Sequence, residues 1–273
     1  MKIRNALEAD KSYMLEFCKN TFSWGDYIAD VWQSWKSKGR LYVLEEGGRV
    51  VGIYHLAISE KQAWVEGMRV HPQYRRRGLG KNLLVHAESM APFKTMRLII
   101  ESENHPSIKL VESMGYRLED KWRLYSMVPT NTKSTVRNAP DLSEIMALVD
   151  SITYADSWKW LPLEQEKLLQ LIQEKRMIVS DRNQKVSAIG IWNRSCDFPQ
   201  VLQLGYVNGS SDGILGILRF MQNKAFDLKC ERIQVFAQEK ISLETSILDK
   251  RALFYLMRKD QEKSITSDTK ANS

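Results

Sequence analysis

Residues His71–Glu88 read HPQYRRRGLGKNLLVHAE. Arg75, Arg76 and Arg77 run straight into Gly78-Leu79-Gly80. From Gly80 to Met90 the chain places Leu83, Leu84, Ala87 and Met90 on one helical face. Upstream, Trp64–Val70 has the composition of a strand. The stretch therefore reads as a strand, a basic glycine turn and the head of a helix. The first N–H groups of a helix lack intrahelical partners and sit at the positive end of its dipole. Gly78 and Gly80 carry no Cβ, so an anion can come close to the main chain. Arg75, Arg76, Arg77 and Lys81 surround that opening with positive charge. The combination suits a pyrophosphate group.

Two familiar phosphate loops do not fit. A G-x-x-x-x-G-K-[ST] loop fails because Asn82 follows Lys81 and position 75 is arginine. A G-x-G-x-x-G fingerprint fails because its third glycine would fall on Leu83. The remaining pattern is [QR]-x-x-G-x-[GA], met by Arg75, Gly78 and Gly80. Together with its flanks, VEGMRVHPQYRRRGLGKNLL (Val65–Leu84), it resembles the pyrophosphate segment of the GNAT (GCN5-related) N-acetyltransferases. Downstream, NHPSIKLVESMGY (Asn104–Tyr116) resembles that family's N-x-x-A-x-x-x-Y-E-x-x-G-F segment. The resemblance spans roughly residues 1–130.

The resemblance implies an acyltransferase that uses acetyl-CoA. Two parallel strands, Trp64–Val70 and Arg97–Glu101, would splay apart and admit the pantetheine arm. Main-chain groups of Met68 and Val70 would bond that arm, and the Met68 amide would hold the thioester oxygen. Arg75, Arg76, Arg77, Gly78, Leu79, Gly80 and Lys81 would hold the pyrophosphate, and Asn104 would bond the cofactor near its sulfur. The acceptor amine would attack directly. A lysine-like amine has a pKa near 10.4, so only about one in 10³ is neutral at pH 7 and a base is needed. Glu66, on the strand leading to the loop, is the first candidate, against the alternative of an ordinary exposed strand glutamate; Glu101 is the second. Val111 stands where many members carry the tyrosine that protonates the leaving thiolate, so water, another group or no acid at all serves there. In the helix–loop–helix that lines the family's acceptor site, Trp24, Asp26 and Tyr27 form a candidate wall for a cationic or aromatic amine. Trp32 and Trp35, three apart, read as core.

The chain is also written twice. IRNALEAD (Ile3–Asp10) returns as VRNAPDL (Val136–Leu142), and RLYVLEEGGRVVGI (Arg40–Ile53) as RMIVSDRNQKVSAI (Arg176–Ile189). FSWGDYI (Phe22–Ile28) matches DSWKWLP (Asp156–Pro162), and MRLII (Met96–Ile100) matches ERIQV (Glu231–Val235). Each copy predicts strand, helix, helix, hairpin, strand, helix, strand, helix. The expected class is α/β, with a mixed, mostly antiparallel sheet in each of two tandem GNAT-like domains. Residues 1–130 form the acetyl-CoA-binding domain, 134–258 a degenerate copy and 259–273 a polar tail without regular structure. The second copy's loop, YVNGSSDGILGILRF (Tyr206–Phe220), has Ser210 in the place of Arg75, and about Gln203 in the place of Glu66.

Composition narrows the partners. The net charge is +7, from 40 basic and 33 acidic residues, and residues 1–130 carry most of the excess. A local basic cluster without a stripe of interleaved aromatics favours a small polyanion and predicts no nucleic-acid partner. Cys18, Cys196 and Cys230, an odd number without C-x-x-C, suggest reduced thiols and a cytoplasmic setting. His55, His71, His86 and His105 share no ligand spacing, so no metal is expected. No apolar run approaches the roughly 20 residues of a membrane span. The expectation is a monomer or homodimer that acetylates a small amine or amino acid. A protein amine as acceptor, or a non-catalytic acetyl-CoA-binding or interaction module, are the alternatives.

Overall fold

The computed structural model describes all residues except 20, 22–25, 60, 196 and 262–273. The first half runs β1 (Lys2–Asn5), α1 (Lys11–Cys18), α2 (Ile28–Ser37), β2 (Leu41–Glu46), β3 (Arg49–Ser59), β4 (Gln62–Val70), α3 (Leu79–Met90), β5 (Thr95–Glu101), α4 (His105–Ser113) and β6 (Arg117–Met127). The second half runs β7 (Arg137–Asn138), β8 (Thr153–Asp156), β9 (Lys159–Pro162), α5 (Gln165–Gln173), β10 (Met177–Arg182), β11 (Lys185–Arg194), β12 (Val201–Gly209), α6 (Ser211–Asp227), β13 (Arg232–Gln238) and β14 (Asp249–Asp260). Twelve of the described strands form one sheet, ordered β1-β2-β3-β4-β5-β14-β6-β13-β12-β11-β10-β7.

That order carries an exchange. The last strand of the second half, β14, lies between β5 and β6, while β6, the last strand of the first half, pairs with β13. The tail expected from Lys259 is corrected accordingly: Lys259 and Asp260 pair with Met96 and Thr95 in β5. Charge at the end of β14 looks like disorder in the sequence, but each group is matched. Arg258 donates to Glu119 at 3.0 Å, Lys259 to Glu88 at 2.8 Å, and the Thr95 hydroxyl to Asp260 at 2.8 Å.

Side-chain alternation along β4 sorts its residues onto two faces. Ala63 and Val65 join Leu79, Leu83, Leu84 and Ala87 of α3 in one core. Trp64 and Glu66 point to the opposite face, which α1, α2 and the second half cover. There Met14, Ile28, Val31, Trp32 and Trp35 make a buried cluster, as the spacing of the two tryptophans predicts. A third cluster joins the halves: Trp64 stacks on Trp160 at 6.0 Å, and Trp122 meets Trp160 edge-on at 5.6 Å. Beneath it, buried Gln62 donates to the Trp160 carbonyl at 2.8 Å.

The second copy departs from the duplicated pattern in two places. A hairpin, β8–β9, stands where a first helix is expected, and no helix follows β13. The hairpin fills the space between the two halves. A Cβ on Gly205 of β12 would lie 1.8 Å from the Ala155 carbonyl oxygen, so only glycine lets the hairpin lie against that strand.

Candidate active site

Strands β4 and β5 run parallel but pair only from Gln62–Thr95 to Trp64–Arg97. Beyond that point they part. The cause is a bulge in β4: Ile53 faces Arg69 and His55 faces Glu66, so Gly67 and Met68 together oppose Tyr54. Gly67 has φ of +62°, and a Cβ there would meet the Trp35 ring at 2.5 Å. Arg69 lies opposite Ile53, and alternation directs the main-chain groups of its neighbours Met68 and Val70 away from β3, into the gap. Their carbonyls are already engaged, Met68 by Arg69 at 3.1 Å and Val70 by Arg75 at 3.1 Å.

The gap leads to the head of α3. Gly78, at φ +77°, starts the helix without a side-chain cap, and no acidic residue lies in the first turn. The donors of Leu79, Gly80 and Lys81 therefore face an anion-attracting end that no carboxylate or hydroxyl has claimed. Gly80 lets α4 approach: a Cβ there would be 3.1 Å from Leu110. Arg76 adopts φ of +65° in the same turn, while Arg77 is held by Glu46 at 3.0 Å and lies over the Tyr74 ring. These residues fit a diphosphate. Asn104 caps α4, its side-chain oxygen accepting from the Ser107 amide at 3.3 Å, which leaves its NH₂ group to donate. Val111 is buried in the core beside α3.

On the other face, Glu66 is not an ordinary exposed glutamate. Its side chain is 11% exposed and one oxygen meets His55 Nδ1 at 2.7 Å. His55 is fully buried and stacks on Trp35 with ring centroids 4.6 Å apart. The buried Nε2 of His55 has no hydrogen-bond partner among the described residues, which fits a neutral ring donating from Nδ1 to the carboxylate. The second Glu66 oxygen lies 3.9 Å from Lys159 Nζ of the second half. Glu101 ends β5 opposite Phe254, outside this cluster.

Of the acceptor-wall residues, Trp24 lies outside the described residues. Asp26 is committed: one oxygen accepts from the Ile28 amide at 2.9 Å and the other from Arg69 at 2.9 Å, with the carboxylate only 3% exposed. It fastens the start of α2 to β4. Tyr27 packs edge-on against Trp35 and against Phe198 of the second half, and burial pushes its hydroxyl pKa up. Burial also pushes the Cys18 thiol up to about 12 and raises Cys230, so neither described cysteine offers a thiolate nucleophile. His55 and Lys159 were not visible as site residues in the sequence. Carried two residues further, the alignment of Arg40–Ile53 with Arg176–Ile189 sets His55 against Ile191 and gives no hint of a partner for Glu66; nothing local marks Lys159.

Residues 8–116 match the family model described as "Acetyltransferase (GNAT) family". No curated protein matches the chain by sequence. Among solved structures, a GCN5-related N-acetyltransferase from Sphaerobacter thermophilus is similar over 95% of each chain, with 16% identity and a TM-score of 0.63. A protein from Thermoplasma acidophilum assigned as an acetyltransferase shares 18% identity over 92% of this chain and 88% of its own, also with a TM-score of 0.63. A glucosamine N-acetyltransferase region of a fungal β-N-acetylglucosaminidase shares 13% identity over 94% of this chain and 38% of its own, with a TM-score of 0.61. These likenesses show the mixed α/β fold across nearly the whole length. With the bulged strand, the splayed gap and the uncapped basic helix head, residues 8–116 are similar to the GNAT acetyltransferases, a family that transfers acetyl from acetyl-CoA.

Proposed function

We propose that the first half acetylates the primary amine of a small molecule, with Glu66 as the general base. The observation that carries this reading is the two-sided character of β4. Its bulge turns main-chain donors into the gap beside the α3 head, and one residue earlier Glu66 presents a nearly buried carboxylate to the opposite face. Met68, Val70, the segment Arg75–Lys81 and Asn104 would hold acetyl-CoA, which supplies an activated acetyl thioester. Glu66 takes the proton of the acceptor ammonium, and His55 fixes the other carboxylate oxygen so that the base does not rotate away. The freed amine nitrogen attacks the thioester carbon directly, forming the N–C bond; the C–S bond breaks, and the second amine proton passes to the departing thiolate or to solvent, with no tyrosine at position 111.

The second half supports this work without repeating it. Phe198 closes on Tyr27, Asp197 accepts from Ser34 at 2.6 Å, and Lys159 faces Glu66. An acceptor pocket walled on this side suits a small molecule better than a protein surface. Thiol release from acetyl-CoA across a panel of primary amines tests the reading directly. Amine-dependent release supports it. Tight acetyl-CoA binding with no release for any amine would leave a non-catalytic binding module.

A further inference from the structure

The β8–β9 turn is built at an unusual cost. Its two central residues, Ser157 and Trp158, both have positive φ, 52° and 65°, in a position that favours asparagine and glycine. Strain of that kind persists only where the surroundings enforce it, and it clusters at functional sites. Here the enforcement is explicit. Gln203 accepts from the Ser157 amide at 2.9 Å, and Gln234 accepts from the Trp158 indole at 3.2 Å. Trp158 also wedges between Phe236 and Phe254. Asn193 donates to Asp156 at 2.9 Å, and Arg176 donates to the same carboxylate at 2.6 Å. Gln203 occupies the second copy's equivalent of the Glu66 position. The vestigial site thus clamps the turn that starts β9, and the first residue of β9 is Lys159.

Lys159 is delivered into the other half's site. Its Nζ donates to the Ser157 carbonyl at 3.2 Å and lies 3.9 Å from Glu66 Oε2, with the side chain 17% exposed. The neighbouring cations are spoken for: Arg69 pairs with Asp26 and Arg176 with Asp156. Among the described residues, the one carboxylate in ion-pair range of Lys159 is Glu66. An acceptor amine arrives as an ammonium. Against Glu66 alone it would be matched; against Glu66 beside Lys159, one carboxylate would face two cations. An acceptor that brings its own carboxylate removes the mismatch and gives Lys159 a charge-assisted hydrogen bond.

We propose that Lys159 is a carboxylate-binding subsite contributed by the second half, and that the acceptor is an α-amino acid. Its amine sits at Glu66 and its carboxylate at Lys159. The assignment rests on the acetyltransferase reading above. The test compares amino acids with their decarboxylated amines: L-tyrosine with tyramine, L-histidine with histamine, and L-leucine with isoamylamine. Wild type is expected to favour the amino acid in kcat/KM. Lys159→Met keeps the stem and removes the charge. It should raise KM for the amino acid roughly 10- to 100-fold, and change kcat/KM for tyramine or histamine by clearly less. Lys159→Arg should keep the preference. A wild-type enzyme that prefers the decarboxylated amines, or a Lys159→Met loss equal for both members of a pair, overturns the subsite while leaving the acetyltransferase intact. Transfer to none of the six overturns both. Unchanged acetyl-CoA affinity in Lys159→Met, measured by calorimetry, verifies that the variant is folded, and Lys159→Gln serves if it is not.

Discussion

Across β3 and β4, His55 faces Glu66 at 2.7 Å; across β11 and β12, Asn193 faces Gln203 at 3.1 Å in the matching register. The backbone is the same bulged ladder in both halves. The ionisable pair has become a pair of amides. The cradle differs in the same sense. α3 starts on Gly78 with no capping side chain, whereas Ser210 caps α6 by accepting from the Gly213 amide, and Asp212 adds a negative charge to the first turn. The second cleft is also filled, since Ala155 lies against Gly205. Two similar ladders thus differ in a few side chains, and the second one holds the β8–β9 turn through Gln203 and Asn193.

The widest separation between the halves is expected in catalysis. Glu66→Gln should lower kcat roughly 10²- to 10⁴-fold at pH 7 with acetyl-CoA affinity retained, while Gln203→Glu should create no second activity; equal rates for Glu66→Gln and wild type would remove Glu66 as the base. Next, Trp160→Ala should cost about 3–5 kcal/mol, because this side chain ties Trp64 and Trp122 of the first half to Phe236 of the second. Denaturant unfolding should remain a single transition; two separate transitions would show that the halves are independent. In calorimetry, acetyl-CoA should bind with a stoichiometry of one. Arg75→Ala with Lys81→Glu should abolish binding, and Ser210→Gly with Asp212→Asn should not raise the count. His55→Asn installs the second half's residue, and should cost about tenfold in kcat with KM for acetyl-CoA unchanged.

The smallest contrast is in pH response. All four histidines lie in the first half. Burial holds His86 below the ordinary histidine value near 6.5, and its Nδ1 is hydrogen-bonded with the Tyr54 hydroxyl at 2.6 Å. A depressed folded-state value means that this contribution to stability is present above about pH 6.5 and is lost as pH falls through the folded value. The melting temperature should decline between pH 7.5 and 5, and His86→Gln should flatten part of that decline. The part-exposed ring limits the effect to under about 1 kcal/mol.

Much of this was legible because it is local. The strand, the Arg-Gly turn and α3 follow from short-range pattern, and Gly78 and Gly80 can be read without a partner in view. Glu66 could be named from its place on the strand, but not its burial, because His55 is eleven residues away and Lys159 comes from the other half. Asp26 and Tyr27 were assigned to the acceptor side; Asp26 is consumed by Arg69 and the start of α2, a pairing that sequence distance hides. The end of β14 was misjudged for the same reason. Lys259 and Asp260 look like a solvated tail until Glu88 and Thr95 are placed beside them.

The strand exchange bears on the order in which this protein can assemble. Thr95 and Asp260 are hydrogen-bonded across 165 residues, so β5 waits for β14 before its second edge is covered. A nascent chain that has just emitted the first half exposes an unpaired edge of β5 beside the β4–β5 gap, a ready target for mispairing. Synthesis must reach the far end of the second half before the first half can close, which makes acquisition of the native state slow and dependent on long-range contacts. A chain cut before β14 would leave β5 open along its flank.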